Sequence, residues 1–438
     1  MPPALAILFG GDGSEHRVSV ASAQNVASIL DRASLWFWRP DGSVASVARS
    51  ELLAFESPFE RDFSPELSHS WPDLAAALDS SEARGLTFFL ALHGGSGEDG
   101  TVQALLEKRG LAFTGSGSEA SRLAFDKLAA RERVSTRGVR VAEACTVTAD
   151  AATHERLAKL FETHEKIVVK PVADGSSHGV RIVSHERELD AALVHIVAHP
   201  GIRHLAEAFI EGRELTVGII EEEDGLKALP CSEVVLEAGR TFDFDGKYLG
   251  KGVREITPAD VSAEESRAAQ SVALSAHEAV GCRGYSRTDV IMGKEGPVFL
   301  EINTLPGLTR ASFIPQQLEA AGIEMRRFLE RQIEIAVEAS DWSSASRRKA
   351  RTIEKMAQGN AEEKQRDEDE PEFSRRFVKG EGGRYIIGKA WEFAKADDED
   401  GFREALHKLK LYDGMEAFEA GLQAFRDFCH ELRQKGLL

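Results

Sequence analysis

A chain of 438 residues, 42% of them hydrophobic, is long enough for roughly two to four domains with proper cores. Its formal charge of −18 argues against a nucleic-acid surface as the main partner. Cys145, Cys231, Cys282 and Cys429 are scattered without a CxxC pair and read as buried thiols of a reducing compartment. The opening apolar run is too short for a membrane span and lacks a basic leader, so no membrane partner is expected and the cytoplasm is the expected location.

ALAILFGG, residues 4–11, is a continuous apolar run of the buried parallel-strand type, and Val18, Ala21, Val26 and Ile29 after it have helical spacing. The turn GGDGSEH lacks the full GxGxxG spacing, which argues against a dinucleotide site. Glu15 falls on the first turn of this helix, at the end of the sheet where α/β proteins place ligands; a glutamate there also complements the helix dipole. SLWFWRP is a second strand, while residues 41–84 carry little functional signal. LTFFLALHGGSGEDG repeats the strand and glycine turn with His93, Glu98 and Asp99, residue types that equally serve packing and helix capping.

From Ser118 the pattern changes to antiparallel strands flanked by helices. Lys127 follows Phe125 and Asp126, and Lys170 closes the apolar strand KIVVKPV, where a buried ammonium requires an anionic partner such as a triphosphate. The loop Gly175, Ser176, Ser177, His178, Gly179 offers backbone donors and hydroxyls suited to phosphate, although glycine and serine also mark ordinary turns. HLAEAFIEGRELTVGII supplies acceptors for a ribose and an apolar slot for a base. LEAGRTFDFDGKYLGKGVREITPADV is polar and glycine-bearing, in the manner of a lid.

GYSRTDVIMGKEGPVFLEINTLPGLTRAS reads as a hairpin. The period of two puts Arg287 and Asp289 on one face, with Val290 and Met292 opposite; Glu301 and Asn303 share a face on the return strand, with Leu300 and Ile302 opposite. Two carboxylates and an amide oxygen suit a hard cation such as magnesium completed by phosphate oxygens. The segment then runs through Gly307 to Ser312 at a helix N-cap, a place for a carboxylate or phosphate. Residues 324–340 form an amphipathic helix, 342–374 a charged linker, and the later residues a small helical module of unreadable role.

GYSRTDV followed by LEINTLPGLTRAS resembles the metal-binding signature of the ATP-grasp ligases, most closely the D-alanine–D-alanine ligase family, and LFGGDGSEHRVSVASA and the LHG…GEDG motif resemble that family's opening third. The resemblance, over about residues 4–340, implies an N-terminal parallel-sheet α/β substrate domain (1–117), a two-part α+β ATP-grasp fold (118–213 and 214–340) and an extra, mostly helical module (341–438). It implies ATP and D-alanine as ligands, Mg2+ or Mn2+ as metal, and ligation of two D-alanines through an acyl phosphate for peptidoglycan precursors; a homodimer is expected. Glu15, Ser176, Tyr248 and Arg287 would be catalytic, Glu15, His93, Gly307 and Ser312 substrate-binding, and Asp289, Glu301 and Asn303 metal ligands. Lys127, Lys170, Ser177, Glu207, Ala208, Ile210, Glu214 and Lys247 would hold ATP. Tyr248 favours an amine as second substrate. Two alternatives stay open: a related ligase with a different second substrate, and an ATP-binding regulator without turnover. Arg17, Phe125 and His178 depart from the family pattern without removing a contact group.

Overall fold

Strand sequences of two kinds produce sheets of two kinds. In a computed structural model, which describes residues 3–66, 69–150, 152–173, 179–236, 253–340 and isolated positions between 400 and 433, β1 (Ala4–Gly10) is apolar throughout and lies between two parallel neighbours. These are β2 (Ser34–Trp38) and β5 (Leu86–Leu92), and β6 (Ala112–Phe113) continues parallel to β5. β3 (Val44–Ser46) and β4 (His69–Trp71) then extend the sheet antiparallel beyond β2, with β4 at the edge, giving the order β4-β3-β2-β1-β5-β6.

The sheet is therefore mixed, which corrects the expectation of a parallel one. Three-residue strands show no readable period, and the tight turn from Arg39 to Ser43 leaves β3 no course but to fold back along β2. Helix His16–Ile29 covers the sheet with Val20, Ala23, Val26 and Ala27.

The second sheet is antiparallel, in the order β7 (Ala144–Val147), β10 (His204–Ala208), β8 (Ile167–Pro171), β9 (Arg181–Val183). Helices Thr153–His164 and Glu186–Ala198 pack Leu157, Leu160, Leu189 and Ile196 against Val169 and Ala206, leaving Lys170 and Glu207 on neighbouring strands of the other face.

The third sheet runs β14 (Val253–Ile256), β13 (Ser232–Leu236), β11 (Gly212–Glu222), β15 (Tyr285–Gly293), β16 (Gly296–Asn303), with β12 (Gly225–Ala228) also on β11. Helix Ala263–Val280 begins at a Ser262/Glu265 capping box, ends at Gly281 with φ +77°, and lies across this sheet on Ala269, Ala273, Ala276 and Val280. Helices Ser118–Phe125 and Lys127–Ser135 share the same core through Ala120, Ala124, Ala130 and Val134.

One feature of the hairpin differs from strict alternation. Asp289 faces Glu301 while Val290 faces Phe299, so Leu300 is an extra residue, a β-bulge. Phe299 and Ile302 consequently fill the core together, and Leu300 does not share the Ile302 face. The chain divides into two compact units, Met1–Trp342 and Ser343–Leu438; in the latter the described positions are helical, with Leu422 and Cys429 buried.

Candidate active site

The β15–β16 pair sets Arg287 opposite Asn303 and Asp289 opposite Glu301. Arg287 grips Asp289 with both ends of its fork, Nε to Oδ1 at 3.0 Å and Nη2 to Oδ2 at 2.8 Å. Thr216, opposite Asp289 on β11, donates its hydroxyl to Oδ1. Lys127 Nζ stands 3.3 Å from Glu301 Oε2. Each carboxylate thus has a cation beside it, as two adjacent negative charges in a half-buried site require.

Asn303 Nδ2 is buried and has no hydrogen-bond partner among the described residues. The donor set of two carboxylates and one amide fits a hard divalent cation sharing its shell with phosphate oxygens. Among the described residues no cluster of three or more His, Cys, Asp or Glu side chains could hold a metal by itself.

The substrate end is built from the first sheet. Glu15 occupies the N-cap position of helix His16–Ile29, is buried, and makes no capping bond. A Cβ on Gly94, whose φ is +61°, would sit 2.4 Å from Glu15 Oε2, so glycine is required there twice over. His93 is buried between Leu305 O, 2.7 Å from Nδ1, and Ser22 Oγ, 2.8 Å from Nε2.

A carbonyl can only accept, so Nδ1 carries a proton. Burial above all disfavours the charged ring, so Nε2 accepts from Ser22. Ser22 Oγ in turn receives the Leu308 N–H at 3.1 Å.

Glu98 fastens the same loop. Its Oε1 accepts from the N–H groups of Thr304 and Leu305, both at 3.1 Å, and Oε2 accepts from Gly94 N–H at 3.2 Å. Burial first, then the Glu15 charge, pushes its carboxyl up to about 7.

Ser312 takes the N-cap position of helix Phe313–Ala320 but does not cap it. Its hydroxyl turns back to Thr309, accepting from N–H at 3.1 Å and sharing a proton with Oγ1 at 2.8 Å. A Cβ on Gly307 would be 2.6 Å from Ser312 Oγ.

One pocket brings together Glu15, His93, Lys127, Arg287, Glu301, Asn303, Gly307 and Ser312. Asp289 reaches it through Arg287. The same pocket includes Phe59, Glu98 and Glu255, which sequence reasoning did not assign to the site. Ser22 was also missed, although it lies two helical turns beyond Glu15 and so on the same face.

Lys170, Glu207, Ala208, Ile210 and Glu214 are not among its lining residues. The buried anion beside Lys170 is Glu207, joined to it across β8 and β10. Ala208 N–H is taken by Glu143 O at 2.8 Å, Phe209 N–H by Lys166 O at 3.0 Å, and Glu214 pairs with Val234 and Ile291 on either side of β11. Lys127 N–H reaches Val172 O at 2.9 Å, which links the lysine of the pocket to the end of β8. Ser176, Ser177, Lys247 and Tyr248 lie outside the described residues.

Two family models match the chain, D-ala D-ala ligase N-terminus over residues 4–116 and D-ala D-ala ligase C-terminus over residues 134–334. The D-alanine--D-alanine ligase of Leptospira interrogans is 35% identical over 353 residues, covering 77% of this chain and 99% of that protein. The VanG D-Ala:D-Ser ligase from Enterococcus faecalis superimposes with a TM-score of 0.65 at 27% identity, covering 77% of this chain and all of that one. A Bacillus anthracis D-alanine--D-alanine ligase complexed with ATP has a TM-score of 0.59 at 25% identity, covering 78% of this chain and 99% of its own. Sheets, hairpin pocket and these likenesses agree, and the chain belongs to the D-alanine–D-alanine ligase family of ATP-dependent ATP-grasp enzymes.

Proposed function

We propose that the protein joins two D-alanines into D-alanyl-D-alanine at the expense of ATP. The observation that carries this reading is the placement of the Arg287, Glu301 and Asn303 face of the hairpin in one pocket with Glu15, His93, Gly307 and Ser312. Cationic, acidic and hydroxyl groups there match a zwitterionic amino acid at either end of a forming peptide bond.

In this reading Glu15 holds the ammonium of the first D-alanine, with Ser176 and Tyr248 in hydrogen-bonded support. The carboxylate of that D-alanine attacks the γ-phosphorus of ATP, releasing ADP and leaving an acyl phosphate. The amine of the second D-alanine attacks the acyl carbon, and phosphate departs. Arg287 and the Gly307 N–H face the oxyanion, while Ser312 holds the second carboxylate. Lys127, Lys170, Ser177 and Lys247 contact phosphates, Glu207 and the Ala208–Ile210 backbone meet the adenine, and Glu214 meets the ribose. Asp289, Glu301 and Asn303 would hold Mg2+ or Mn2+. Such a cation, when bound, offsets triphosphate charge. His93, kept neutral between Ser22 and Leu305, positions the loop that presents Gly307.

ADP release measured with D-alanine alone, and with D-alanine paired with D-serine or D-lactate, tests the assignment. Turnover is expected with D-alanine alone. Turnover only with the D-serine pair would support the second reading, a D-alanine:D-serine ligase, which the VanG likeness favours. The family serves peptidoglycan synthesis, and we infer the same destination for this product. Sedimentation of the purified chain tests the homodimer.

A further inference from the structure

Residues 55–66 contain no helix or strand, yet they are fastened along their length. Gln24 Nε2 donates to the carbonyls of Leu52 at 2.8 Å and Phe55 at 2.6 Å. Arg61 donates to Glu56 O at 3.0 Å and lies over the Phe55 ring at 5.7 Å. Phe63 is buried, its ring centroid 5.1 Å from Phe37 and 5.2 Å from Phe55. Asp62 accepts from His16 Nε2 at 3.0 Å and Arg17 Nε at 2.8 Å, and those bonds hold its carboxyl down to about 2.

His16 and Arg17 directly follow Glu15, so this strap is clipped to the helix turn that carries the acid of the pocket. Between the anchors, Ser57 accepts from the N–H groups of Glu60 and Arg61 at 3.0 and 3.2 Å, forming a turn that leaves Phe59 half-buried. Its residue lines the pocket with Glu15, His93 and Ser312. The charged and polar groups there suit the ammonium and carboxylate of an amino acid, and the aromatic wall suits its apolar part, the side chain.

We propose that Phe59 is a specificity-determining residue, held by the Asp62 clip on His16 and Arg17 so that its ring limits the bound D-amino acid to a methyl-sized side chain. The inference rests on the ligase reading and deepens it. Arg17, a departure from the family pattern, thereby gains a partner: it fastens the strap instead of meeting substrate.

The test is amino-acid-dependent ADP release by the full chain with D-alanine and with D-2-aminobutyrate, which adds one methylene. Such a group is discriminated by about 10- to 200-fold in an apolar pocket. Phe59→Ala is expected to raise the ratio of kcat/KM for D-2-aminobutyrate over D-alanine by about tenfold or more. Asp62→Asn should move the ratio the same way by less. A ratio within about twofold of wild type in Phe59→Ala overturns the proposal, as does an equal loss with both substrates. Should Phe59→Ala not fold, Phe59→Trp must raise the KM for D-alanine while kcat is retained, and an unchanged KM overturns the idea. A wild-type chain that releases no ADP with D-alanine overturns the ligase reading; a wild type that turns it over while Phe59→Ala keeps the wild-type ratio overturns this inference alone.

Discussion

Glu98 shows how one side chain couples the site to stability. Its carboxyl titrates near 7 in the folded chain against 4.5 for an unstructured glutamate, so the folded state binds the proton more tightly. Stability linked to this group is full below pH 4.5, declines as the pH rises towards 7, and is level above that, a change on the order of 3 kcal/mol. Glu98→Gln should flatten the fall of Tm with pH across that window while lowering Tm at every pH, because an amide cannot accept from all of Thr304, Leu305 and Gly94. An undiminished slope in melts from pH 4.5 to 7 would assign the titration elsewhere. Asp289→Asn and Glu301→Gln should each lower kcat by about 100-fold or more, and Mg2+ titration of the residual rate checks whether the loss is in metal use. The carboxylate ridge was legible in sequence because a period of two fixes faces over short distances. Phe59 was not, since nothing periodic surrounds it and its position depends on Phe63 packed against Phe37 and on the ties that Asp62 and Gln24 make between the strap and the first helix.

At the scale of elements, the loop after β16 is the most constrained piece of the site. Leu305 and Leu308 are buried in the core of the first sheet, each contributing about 1.5–3 kcal/mol, and Asn25 Nδ2 holds Leu308 O at 2.8 Å. Gln317 ties the following helix to β11, accepting from Gly218 N–H at 2.9 Å and donating to Thr216 O at 2.9 Å. Gly307→Ala places a methyl 2.6 Å from Ser312 Oγ, so the hydroxyl must swing away. A rise of about tenfold in the KM of the second D-alanine is expected, and initial rates at saturating ATP measure it. Adding Ser312→Ala should not add a further full increment, since both changes disturb one contact. The β15–β16 hairpin could be read from sequence. The bulge could not, because an extra residue is recognised only when the partner strand is in place, and the antiparallel strands β3 and β4 are too short to declare a period.

The molecule as a whole divides its labour between segments far apart in sequence. The family models match residues 4–116 and 134–334, and relatives are matched over nearly their full length by about three quarters of this chain, so the C-terminal residues are an addition to the family plan. A chain ending at Ser340 should keep kcat/KM within about threefold of the full-length protein, assayed by ADP release alongside a melt. No helix among the described residues is long and apolar enough to cross a membrane. The family was readable because its motifs occur in order along the chain, whereas the convergence of Ser22, His93 and Glu98 on one loop was not, being a matter of tertiary contact. His93 and its acceptor carbonyl on Leu305 are separated by 212 residues. A ribosome adding about 5–20 residues per second needs roughly 10–40 s to deliver the later partner after the earlier one has emerged. Throughout that interval the imidazole waits without its mate, and a nascent chain released before that carbonyl is made leaves the histidine without it.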